Sequence, residues 1–149
     1  MSLKPLFNIA QVRAFADMFL EKTDEKTIEM LSYAGEYGVK LARQNGNYED
    51  RTGNLRSSIG YVVVANGSIV RQSFESTTGE SDNKTGQEEG RQLAYGLASR
   101  YNSGHVLILV AGMEYAAAVE SLEGYDVLQN SVYETESILK ETLNEVLKL

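Results

Sequence analysis

The chain has no cysteine, no tryptophan, one proline and one histidine in 149 residues. Without cysteine there is no disulfide, no thiolate metal site and no thiol nucleophile. The single histidine, His105, leaves no His-rich metal cluster and no histidine pair, and reads as a structural or surface residue rather than a ligand. Positive charge is scarce as well. Fourteen Lys and Arg stand against 21 Asp and Glu, a net charge of −7. That argues against a general nucleic-acid binder, which needs a basic face to displace counterions. No stretch approaches the roughly 20 apolar residues that span a bilayer. Gln11, Arg13 and Asp17 break the apolar residues near the start, which does not read as a signal peptide. Catalytic signatures are missing too. There is no G-x-S-x-G elbow. The Gly79–Gly86 stretch lacks the ending of a P-loop, and the acids Glu80, Asp82, Glu88 and Glu89 lack EF-hand spacing. Among 21 acids no pair is marked out for hydrolysis.

What is present is a core of ordinary size. Hydrophobic residues make up 42% of the 16.5 kDa chain. A chain this long buries roughly 70% of its unfolded surface without a staple. One domain spanning 1–149 is expected, with residues 1–22 as an extra N-terminal helix. Ile9, Val12, Phe15, Ala16, Phe19 and Leu20 recur at helical spacing, with Asn8 placed to cap. A second helical stripe runs through Ile28, Leu31, Gly35, Gly38 and Ala42 to a left-handed stop at Asn45-Gly46. The pattern leaves open whether these are two helices or one kinked one. Glycines cost about 1 kcal/mol each in a helix, so Gly35 and Gly38 predict close approach of another segment.

Ile59 to Ala65, Asn66-Gly67 and Ser68 to Phe74 read as a hairpin with a type I′ turn. A two-residue loop sets Val63 opposite Val70, Tyr61 opposite Gln72 and Ile59 opposite Phe74. The face with Ile59, Tyr61, Val63, Val70 and Phe74 is then the buried one. The other carries Val62, Val64, Ile69 and Arg71, too apolar for water and a candidate assembly surface. Residues 75–90 hold no aliphatic or aromatic side chain and read as a flexible acidic loop. A short helix is expected from about Glu88 to Arg100. Val106 to Val110 reads as a strand buried on both faces, and Tyr115 to Glu120 as a short strand or turn. Asp126 is placed to cap a last helix with the stripe Leu128, Val132, Thr135, Leu139, Leu143 and Val146. The fold class is α+β: N-terminal helices, a small antiparallel sheet with a long hairpin, and a C-terminal helix packed on the sheet.

Two short segments carry more. Thr52-Gly53-Asn54-Leu55-Arg56-Ser57-Ser58-Ile59 follows a helix and enters a strand. Tyr115-Ala116-Ala117-Ala118-Val119-Glu120 precedes the last helix. With this order, the chain resembles the small head–tail joining or tail-completion proteins of long-tailed bacteriophages, over roughly Ile28 to Leu147. Their pattern is T-G-x-L-x-x-S-I and later Y-A-x-x-V-E. The chain departs from it where a proline usually precedes the Thr-Gly pair, and in its acidic loop. The resemblance implies a non-enzymatic virion subunit with no cofactor and no metal. Such a subunit assembles as a ring, often six-fold, at the capsid–tail junction after synthesis in the bacterial cytoplasm. Its partners would be copies of itself and neighbouring connector or tail proteins, with DNA passing nearby but not tightly held, and no membrane. Structural roles fall on Thr52, Gly53, Leu55, Ser58, Ile59, Tyr115, Val119 and Glu120. Glu120 is expected to accept hydrogen bonds from the Thr52 turn, or to pair with Arg51 or Arg56. An acid-lined lumen built from the 75–89 loop would let DNA slide. The residues leave two rivals open: a small cytosolic carboxylate-based hydrolase, and an adaptor that binds peptides at its sheet edge.

Overall fold

The computed structural model describes residues 9–48, 53–75, 84–113, 116–121 and 126–147. Helix α1 runs unbroken over Ile9–Asn45, and a single turn, α2, spans Asn54–Ser57. Strands β1 (Ile59–Ala65) and β2 (Ser68–Ser73) follow, then α3 (Lys84–Ala98), β3 (His105–Ala111), α4 (Ala116–Ser121) and α5 (Gln129–Leu147). The three strands form one antiparallel sheet in the order β2-β1-β3. Three layers result: α1 and α5, the sheet, and α3. This is the expected α+β class, with the C-terminal helix on the sheet's α1 side.

The two helical patterns of the front are one helix, with no break at Thr23-Asp24. Gly35 and Gly38 lie where neighbours press hardest. A side chain at Gly35 would meet the Tyr61 ring, and one at Gly38 would come within 2.6 Å of Thr135 Oγ1 and 3.0 Å of Leu109. The stop is not left-handed. Among the described residues, positive φ occurs only at Gly53, Asn66, Gly67 and Gly104. Gly46 instead lies against the Tyr48 ring, and its carbonyl accepts from Arg56 Nη2 at 2.7 Å.

Asn66 (φ 49°) and Gly67 (φ 87°) make the tight turn that their sequence announces. The register then departs from expectation. Ala65 faces Ser68 and Val64 faces Ile69, but Val63 faces Arg71, so the ladder is bulged at Val70. One extra residue reverses the faces of everything beyond it. Phe74 therefore joins Val62 and Val64 under α3, while Arg71 moves to the α1 face.

The sheet's second face is covered by the chain itself. Val62 and Val64 are 0% and 1% exposed, packed with Ile69 against Ala94, Leu97 and Ala98 of α3. They are therefore not a surface for a partner. Helix α3 comes close because its inner line is Gly86, Gly90, Ala94 and Ala98. A side chain at Gly90 would come within 2.5 Å of the Ser58 carbonyl oxygen. Because α3 begins at Lys84, residues 84–90 are helix rather than loop, and Glu88 and Glu89 sit on it. Glu80 and Asp82 lie outside the described residues.

Val106 to Val110 is covered on both faces, Ile108 and Val110 on the α3 side and Leu107 and Leu109 on the α1 side, and it lies at the edge of the sheet. The segment expected as a strand or turn before the last helix is the helix α4.

Antiparallel α1 and α5 lie side by side. Asn47 Oδ1 accepts from the Asp126 backbone N–H at 3.0 Å, and Thr135 stands at Gly38. On that register the end of α5, at Leu147, comes level with Lys26. His105, which opens β3, has Nε2 3.5 Å from the Asp24 carboxylate. Helix α1 thus continues past both elements for roughly 25 Å, at about 1.5 Å per residue. From Ala10 to Lys26 every described side chain is exposed, Met18 at 58%.

Candidate functional site

The two segments that carry the phage resemblance meet at the end of the sheet remote from the hairpin tip. Gly53 takes the left-handed conformation (φ 78°), which a side chain would strain. It opens α2, with Ser57 N–H donating to its carbonyl at 2.9 Å. Ser58 Oγ–H donates to the Leu55 carbonyl at 2.7 Å. Leu55, Ser58 and Ile59 are at most 1% exposed. Ile59 pairs with Ala111, and the Ser58 carbonyl accepts from Gly112 N–H at 3.2 Å. Leu55 and Ile59 share one apolar cluster with Ala116 and Val127. Arg56 ties the junction to the last turn of α1 by donating to the Arg43 carbonyl at 3.4 Å, and to the segment after it through the carbonyls of Gly46 and Tyr48, and it lies 4.5 Å over the Tyr48 ring. Asn54 Oδ1 accepts from Gly86 N–H at 2.9 Å, satisfying a free donor in the first turn of α3.

Glu120 acts elsewhere than expected. Its Oε1 accepts from the backbone N–H groups of Leu128, at 2.9 Å, and Gln129. It therefore caps α5, placing negative charge where the helix dipole favours it. It pairs neither with the turn at Gly53 nor with Arg56. Asp126, expected as the cap, reaches Asn130 N–H only at 3.4 Å. Thr52, Tyr115 and Arg51 lie outside the described residues, as does the side chain of Val119, whose backbone is in α4.

The open surface lies at β3. Gly112 N–H and the Gly104 carbonyl point towards β1 and its turn. By alternation, the main-chain groups of His105, Leu107, Leu109 and Ala111 point away from the sheet. No described strand pairs with them. Beside this edge runs a groove of about 370 Å³ between β3 and α5, whose walls include Tyr101, Leu107, Leu109, Val132 and Leu139 together with Thr135 and Glu136. Tyr101 and Val132 are 43% and 36% exposed. No sequence signal marked this surface: burial of the run on both faces says nothing about its main-chain edge.

A second groove, about 430 Å³, lies between α1 and the end of β2, and has Glu36, Lys40, Arg43, Ser73 and Glu75 in its walls. Its central cation is structural. Arg43 Nη2 donates to the Ile59 carbonyl at 2.9 Å and to the Glu75 carbonyl at 2.6 Å. Burial pushes this guanidinium below its ordinary value, and the charges of Glu75 and Glu36 push it back. Tyr61 O–H donates to Glu36 at 2.9 Å. Burial, then that bond and the Glu36 charge, hold its hydroxyl up at about 12. No sequence signal marked Arg43 or Glu36, because their partners depend on how α1 crosses the sheet.

Among the described residues no group of three His, Asp or Glu is placed to hold a metal ion. No described helix is long and apolar enough to cross a membrane. No family model, curated protein or solved structure matches the chain.

Proposed function

We propose that the chain is a structural subunit of a bacteriophage or prophage virion, a head–tail connector or tail component that works by assembling into a ring. The observation that carries the reading is the junction of the two resembling segments. Lying far apart in sequence, they pack into one cluster through Leu55, Ile59 and Ala116. Burial of both segments in the same core is what a shared architecture requires. The β3 edge, with which no described strand pairs, and the groove beside it support the reading in a second way. Unpaired strand edges are places where another chain can add. A ring arises when one surface of each copy meets a different surface of the next and the rotation closes.

The test is mass in solution as a function of concentration, with electron microscopy, on the full chain alone and after coexpression with the products of its neighbouring genes. Rings, alone or with a neighbour, are expected. A monomer under both conditions, from a gene with no portal, capsid or tape-measure neighbours, would overturn the reading.

A further inference from the structure

We draw no further inference here: the strongest candidate, the outward main-chain edge of β3 with the groove it shares with α5, carries none, because nothing in the structure shows what covers it.

Discussion

Along β2 the outer strand carries Arg71, Gln72 and Ser73 and is interrupted by a bulge. Along β3 it carries Val106, Leu107, Ile108, Leu109 and Val110 and pairs with β1 in unbroken register. Polar side chains and bulges are the usual devices by which an edge refuses another chain. One margin of the sheet has them and the other does not. The difference has a source within the chain: the side chains of β3 point to both faces of the sheet, where Leu107 and Leu109 pack on the α1 side and Ile108 and Val110 pack under α3.

The contrast can be erased at a single residue. Gly90 touches Phe74, where the chain leaves β2, and the backbone of Gly112, where it leaves β3. A side chain there also strikes the Ser58 carbonyl oxygen, which is backbone and cannot swing aside. Gly90→Val is expected to cost about 3 kcal/mol or more, at the upper end of overpacking effects. Chemical denaturation should show both margins lost together, as one transition. On the β2 side alone, Arg43→Met leaves the Ile59 and Glu75 carbonyls without their donor. A loss of about 2 kcal/mol in stability is expected, read by chemical denaturation. On the β3 side, Glu120→Ala removes the cap from α5, the helix that walls the groove. A fall of about 1 kcal/mol in stability is expected, read as a lower melting temperature.

The smallest effect is a dependence on pH. Tyr61 ionises near 12 in the folded chain and at its ordinary value of 10 when unfolded. Between those values the unfolded chain has lost its proton and the folded chain keeps it, so stability falls as pH rises through that window. Tyr61→Phe should cost about 1 kcal/mol at neutral pH and flatten the alkaline decline. Denaturation curves at pH 9 and pH 11 read both effects; an unchanged slope in the variant would mean that the decline belongs to other groups.

The parts legible in the sequence were those fixed by neighbours along the chain. Asn66-Gly67 announced its turn because two residues with positive φ leave few alternatives. Gly35 and Gly38 announced close approach because a helix otherwise avoids them. The parts that were not legible depend on contacts made at a distance. Nothing local to Val70 marks a bulge, yet that one residue sent Phe74 under α3 and Arg71 to the α1 face. The apolar run of β3 announced a strand covered on both faces, but side-chain periodicity is blind to the main-chain edge, so its place at the margin of the sheet was not legible. Glu120 carries no sign that it will cap a helix beginning several residues later, because the intervening turn decides where its carboxylate points. The candidate site was half visible: Leu55 and Ile59 were named, while the groove beside β3 required knowing that α5 stops short of covering it.

Helix α1 serves the sheet at one end and projects as an arm at the other, and a helix has phase. Each residue turns it by about 100° and advances it about 1.5 Å. Adding one residue between Lys22 and Lys26 would leave the body folded and swing the arm a quarter turn or more about its own axis. Adding four would nearly restore its bearing while lengthening it by about 6 Å. The chain therefore carries an angular setting, fixed by residue count alone, between the part of α1 that holds its own sheet and the part that runs on beyond it.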